Sequence, residues 1–490
     1  MGLNFSTLVE GFKFLFQSPS AIYQQARNSS RHRHPLEIDR GDADYSVQIA
    51  GDTLTQKARW LDANSDHVTG AFDYIVASIV GAGVITEPLI RLNDDTPYTE
   101  INQQIKDLWL IFQQKPDMSG NTGQELQRQA CRSWLRDGEV FVRFYEGVGY
   151  PHNTQIPLSI QLLESDQLDF HHNGTNIVQG VEKDEYDRPI AYYFHKKHPG
   201  RLRSENNDLI RIPASEICHL KLAKRLGQTR GVSCLHAVID RVQDLGEIDV
   251  YETAAVKMGA SIGLVIKRNG DFLSDGIEPD RARITRFYPG MVLDDLSVGE
   301  EPEMLTPNGR PNPELIAFRD DTLRGIAAGM GISASTLMRK YEGSYSSERQ
   351  ALVEAQRLMD VRIEQFISQF IQPIYTRFIQ TVVLYQLIDI KLKKIKPNSL
   401  YRASHKSPTM PWIDPLKEVN AKVNIIQAGL DSRANQIRAS GRNPDDVMQE
   451  IIAETQRDME NGLSFTTSAD GNPAGVNDMP TQKPQEEAAQ

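Results

Sequence analysis

Cysteine is scarce in this chain of 490 residues: Cys131, Cys218 and Cys234 are odd in number, and no C-x-x-C pair stands among them. That excludes a disulfide framework and a thiolate zinc site, and leaves reduced, inert thiols as the expectation. Long apolar runs are missing too, and nothing approaches the ~20 apolar residues that cross a bilayer. The opening stretch Leu3–Phe16 is interrupted by Glu10 and Lys13, and has neither a basic leader nor a small-residue cleavage site after it. It reads as an amphipathic opening helix of a cytoplasmic protein, with a membrane-surface helix as the alternative. Cationic charge is in deficit, 54 Lys and Arg against 65 Asp and Glu, for a net charge of −11. Affinity for duplex DNA comes mainly from cations that displace counterions from phosphate. The balance therefore argues against a dedicated DNA-binding domain, but not against a protein that must let DNA slide.

The motifs of catalysis are absent as well. Without a G-x-x-x-x-G-K-[ST] loop there is no recognisable ATP-driven motor. There is no H-E-x-x-H, and the string nearest to G-x-S-x-G, Gly331-Ile332-Ser333-Ala334-Ser335, lacks the second glycine. The pairs His195/His198, His171/His172 and Asp42/Asp44 could each contribute to a metal site, but each lacks a third ligand, so solvated side chains are the expectation. No catalytic residue, metal or cofactor is predicted.

What is present is the balance of an ordinary folded chain, 39% hydrophobic and 24% charged, long enough for several modules. The Asn28–Pro35 stretch reads as a loop or arm. Helical patterns follow over 51–80 and 121–137. The runs Phe141–Tyr145, Leu158–Leu163 and Ile190–His195 have the β-branched and aromatic character of strands, giving an α+β first half. Leu235–Ala260 reads as a helix with Val238, Val242, Leu245 and Val256 on one side. Asp240, Asp244 and Glu247 form an acidic stripe on the opposite side, which is ordinarily a solvated face.

A strand-and-turn excursion over 261–311, with a β-type run at Ile262–Lys267, separates that helix from a second helical pattern at Glu314–Gly331. Ser347 and Gln350 fit a capping box at the start of a long helix. Its stripe of Met359, Ile363, Phe366, Phe370 and Ile374 runs on toward Leu387, with Pro373 as the expected kink. Two or three helices are expected over Trp412–Glu460, and the Gly-, Pro- and polar-rich Asn461–Gln490 reads as a mobile tail.

Several strings in fixed order resemble the lambda-type bacteriophage portal family. They are Gln228-Thr229-Arg230-Gly231-Val232, Pro289-Gly290-Met291 with Gly299-Glu300, Leu323-Arg324-Gly325-Ile326-Ala327-Ala328-Gly329-Met330-Gly331-Ile332, and Tyr345-Ser346-Ser347-Glu348-Arg349-Gln350-Ala351-Leu352. Gly180–Asp184 through Arg188–Tyr192 before them, and Trp412–Glu418 with Gly429–Arg433 after them, agree. The resemblance implies a mainly helical α+β fold assembling into a ring, usually dodecameric. Its parts would be a wing at 1–230, a stem helix at 231–260, a clip at 261–311 and a return stem helix at 312–331. A tunnel loop at 332–346, a long wing helix at 347–400, a helical crown at 401–460 and a disordered tail at 461–490 complete it.

By the same resemblance the ring would sit at one capsid vertex of the virion, after assembly in the host cytoplasm. It would dock the terminase large subunit, contact the major capsid protein and scaffold, and later bind head-completion or adaptor proteins. Double-stranded DNA would pass through it without sequence readout. No membrane role and no enzymatic activity are expected. The channel candidates are Asp240, Asp244 and Glu247, which would repel phosphate, and Arg339, Lys340 and Tyr341, which could touch DNA or equally a neighbouring subunit. A metal-dependent nuclease and a pore-free scaffold or adaptor remain the alternatives.

Overall fold

The computed structural model describes residues 41–200, 208–260, 263–268, 300–305, 313–408, 415–439 and 444–461. The opening helix, most of the 261–311 excursion and the tail beyond Asn461 lie outside these residues.

Asp42 starts the first helix of the described residues, α1 (Ala43–Asn64), by accepting a hydrogen bond from Tyr45 N at 2.7 Å. Ser65 then ends α1 and caps α2 (Asp66–Ile79), so the single pattern over 51–80 is two helices sharing one boundary residue. After β1 (Ile85–Pro88) comes α3 (Thr99–Gln114), which the sequence reading did not anticipate. A reciprocal Thr122/Glu125 capping box opens α4 (Gly123–Asp137). Buried Asp137 accepts from Arg59 of α1 and from its neighbour Arg136, tying α1 to α4.

The strands β2 (Glu139–Glu146), β3 (Leu158–Leu163), β4 (Ile177–Val178), β5 (Val181–Lys183), β6 (Pro189–His195), β7 (Leu209–Pro213) and β8 (Ile217–Lys221) form two antiparallel sheets. One has the order β3-β2-β8 and the other β4-β5-β6-β7. The period of two along β2 divides its side chains between two cores. Val140, Val142 and Phe144 join the main cluster with Phe72, Trp134 and Phe378, while Phe141 joins Leu168, Tyr192 and Phe194 between the sheets.

The chain then leaves along α5 (Ile239–Ala260), passes through the antiparallel pair β9 (Gly263–Arg268) and β10 (Glu300–Leu305), and returns along α6 (Pro313–Met330). A short α7 (Ala334–Met338) occupies the first half of the segment expected to be a tunnel loop.

The long helix begins at Ser344 rather than Ser347: Ser344 Oγ accepts from Ser347 N at 3.3 Å, and Gln350 turns to Glu354. It runs as α8 (Tyr345–Phe366), a π turn at Ile367–Ile371, and α9 (Gln372–Leu384), ~60 Å in all. Pro373 causes the interruption, because it has no N–H for the carbonyl of Gln369 four residues back. That carbonyl accepts from Cys218 Sγ at 2.9 Å, and the Gln369 side chain accepts from Lys221 N at 3.1 Å. The gap left by proline is therefore where β8 is fastened to the helix.

The helix stops at Leu384, close to the Leu387 its stripe ran toward and short of the 400 that the family resemblance implied, and turns carry the chain to β11 (Ala403–Lys406). This strand pairs antiparallel with β1, so the region expected to open a helical crown begins with a strand of the main body. The helices α10 (Pro415–Gln427), α11 (Arg433–Ala439) and α12 (Pro444–Asn461) follow.

Candidate functional site

The outgoing arm starts from a crossing of two glycine-bearing segments. Gly138 ends α4 at φ +91, where an added Cβ would meet the Val232 backbone at 2.4 Å. A Cβ on Gly231 would lie 2.0 Å from the Gly138 carbonyl oxygen. Only glycine permits this approach from either side.

Beside the crossing, Arg230 is 1% exposed and fully engaged. Its Nε donates to Glu139 Oε1 at 2.6 Å, Nη1 to the Gln179 carbonyl at 3.0 Å and Nη2 to the Ser165 carbonyl at 2.9 Å, while its guanidinium lies 4.9 Å from the Phe170 ring centre. The other Glu139 oxygen accepts from Gly231 N at 2.9 Å and His219 Nε2 at 3.0 Å. Burial alone would raise the Glu139 carboxyl, but Arg230, His219 and the Gly231 N–H hold it down at about 2. Burial keeps His219 below the usual imidazole range, so at neutral pH it is an uncharged donor to that carboxylate. Asp44 completes the root, taking Thr229 N at 2.7 Å and Thr229 Oγ1 at 2.6 Å.

The arm is an antiparallel excursion whose register holds from root to tip. A Cβ on Gly329 would meet Val238, and one on Gly325 would meet Arg241; farther out, Arg319 donates to Asp249 at 3.0 Å. Beyond the helices Gly263 pairs with Leu305 and Arg268 with Glu300. Gly329 lets Val238, just ahead of α5, lie against α6, and Gly325 leaves room for the Arg241 side chain. Gly331, at φ +70, ends α6 in a Schellman motif: Ile332 N donates to Ala327 O and Gly331 N to Ala328 O. Arg362 of α8 adds a cation at this end, 2.8 Å from the Met330 carbonyl.

Asp240, Asp244 and Glu247 are exposed on α5, away from buried Val238, Val242 and Leu245. Val256, expected on the apolar side, is 55% exposed. Arg339 takes a left-handed conformation at the end of α7 and is exposed, as is Tyr341. Lys340 is exposed too, and it is paired within its own chain. Its ammonium lies 3.3 Å from both Asp320 and Glu342, which raise it above the ordinary lysine range.

Of the residues that suggested metal sites, Asp42, Asp44 and His198 have structural partners, while the buried His195 Nδ1 has no hydrogen-bond partner among the described residues. Asp42 caps α1, Asp44 holds Thr229, and His198 Nε2 lies 3.1 Å from Glu164. Among the described residues no group of three His, Cys, Asp or Glu side chains is placed to hold an ion. The thiols are buried, and burial pushes Cys218 up to about 12 and Cys234 to about 11.

Residues 29–362, which contain the whole arm and its root, match the family model described as phage portal protein, lambda family. The chain belongs to the lambda family of phage portal proteins. Its function is that of a portal protein, a structural component of a phage particle. The chain is 27% identical over 449 residues to the probable portal protein of Halomonas phage phiHAP-1, covering 85% of this chain and 82% of that one. Portal protein B of Escherichia phage lambda is 22% identical over 326 residues, 59% of this chain and 60% of that one. Among solved structures, a chain in the virion of a native gene transfer agent particle superposes with TM-score 0.45 at 14% identity, over 81% of this chain and 94% of that one.

Sequence reasoning singled out the exposed residues of this portal arm but missed the Arg230–Glu139–His219 cluster at its root. The only available signal was that Arg230 and Gly231 stand inside a family string.

Proposed function

We propose that this portal protein closes into a ring of twelve copies at one capsid vertex and conducts double-stranded DNA into and out of the head. In this reading α5 and α6 form the stem, and the segment containing β9 and β10 forms the clip. The body and the α8–α9 helix form the wing, residues 332–346 the tunnel loop and the helices after 415 the crown. The clip receives the terminase large subunit during filling and head-completion proteins afterwards. The chain itself catalyses nothing, and the packaging energy comes from the partner ATPase.

The observation that carries this reading is the arm, two close-packed antiparallel helices tipped by a strand pair and rooted in a buried charge cluster. Identical arms around an axis would make a tube. If Asp240, Asp244 and Glu247 face its lumen, their repeated carboxylates repel phosphate over a Debye length of about 8 Å, so DNA slides rather than sticks. Arg339, Lys340 and Tyr341 would be presented near the inner mouth, contacting backbone without reading sequence.

An in-vitro packaging reaction tests the proposal. Capsids assembled with this chain take up DNA when terminase and ATP are added, and capsids assembled without it stay empty; filling that does not depend on the chain contradicts it.

A further inference from the structure

A groove of 710 Å³ lies between the C-terminal half of α1, the α1–α2 junction and the flank of α5. Leu61, Val242 and Ile326 form its floor. Trp60, Val250 and Tyr251 stand on its lip, exposed by 63, 66 and 70%. Large apolar side chains gathered this way, rather than scattered singly, mark a surface that is covered in the working protein. Asp66 and Glu247 against Lys57 make the surround acidic, with Asp249 held by Arg319.

The chain itself carries a segment of matching chemistry. Phe5, Leu8, Val9, Phe12, Leu15 and Phe16 recur at i, i+3, i+4, i+7, i+10 and i+11, one apolar stripe at helical spacing. Leu3–Phe16 is itself charge-balanced, Lys13 against Glu10, and the Gln17–Arg40 stretch that would lead it to the groove is net cationic, Arg27, Arg31, Arg33 and Arg40 against Glu37 and Asp39, opposite in sign to the groove. Reach is sufficient. The intervening Gln17–Arg40 spans up to ~80 Å when extended, and the length of α1 from Gly41 to Trp60 is only ~29 Å.

We propose that Leu3–Phe16 seats its apolar stripe in the α1–α5 groove of its own chain, as a strap joining the wing to the root of the stem. The proposal does not depend on ring closure, so native mass of the same sample separates its failure from failure of the ring reading.

The test is a cysteine pair in the full-length chain, Phe12→Cys with Val250→Cys, oxidised and resolved without reductant. The expected result is a disulfide at monomer mass that falls at least tenfold when Leu8→Glu and Leu15→Glu are added. No cross-link above that background, or one only at twice the monomer mass, overturns the proposal.

A second measurement avoids the cysteine substitutions. The part of acrylamide quenching that Trp60→Phe removes should rise about twofold on deleting residues 2–20; unchanged quenching overturns the strap.

Discussion

Replacing Arg230 with methionine strips the arm's root of its cation while leaving Glu139 buried. The carboxylate keeps His219 and the Gly231 N–H but loses the charge that justifies its ionisation in a low-dielectric site. Removing one member of such a pair costs about 3–5 kcal/mol, which should appear as a lowered urea midpoint at pH 7. The pair also sets a pH dependence. The folded carboxyl sits at about 2 against an ordinary 4.5, so its contribution is complete above the ordinary value and is lost as pH falls toward 2. That contribution amounts to roughly 3 kcal/mol. Glu139→Gln should flatten stability between pH 4.5 and 2, and Glu139→Gln with Arg230→Met should recover at least about 1 kcal/mol over Arg230→Met alone. If Arg230→Met costs under about 1 kcal/mol, or the double variant is simply the sum of the singles, the root is not held by this pair.

Gly329→Val should destabilise by about 1–3 kcal/mol, since the new side chain must displace Val238 from the helix pair; thermal melting checks it. Arg339→Ala with Lys340→Ala should leave assembly intact and alter DNA retention in packaged particles, whereas collapse of the ring would place these residues at a subunit contact instead. All three native thiols should resist a maleimide until denaturant is added, given their burial and raised thiol values. Rapid labelling of any one under native conditions contradicts this.

Signals confined to a few neighbouring residues were legible. Leu158–Leu163 is a strand over the residues read as one, and the second arm helix, read as Glu314–Gly331, spans Pro313–Met330. Helix α3 was missed because its start carries no side-chain cap: Tyr98 holds that position and makes no capping hydrogen bond. Ser347 was read as the cap of the long helix because Gln350 follows it at capping-box spacing, but Ser344, three residues earlier, makes the capping hydrogen bond to Ser347 N. Strands β1 and β11 are about three hundred residues apart, so neither side announces the pairing. The same distance problem hid the buried cluster. Arg230 and Glu139 are 91 residues apart, and nothing local to either marks it as half of an ion pair. Of the candidate site, the acidic stripe followed from helical periodicity, but the Lys340–Asp320 pair did not, because Asp320 lies on α6, on the far side of the turn and α7.

Closure of the chain into a ring is tested most directly by electron microscopy of the purified protein with native mass. The predicted result is a closed ring, twelve copies by mass, with a central channel of about duplex width. A stable monomer that does not close even with scaffold present, or an assembly without a central hole, would contradict the conduit reading.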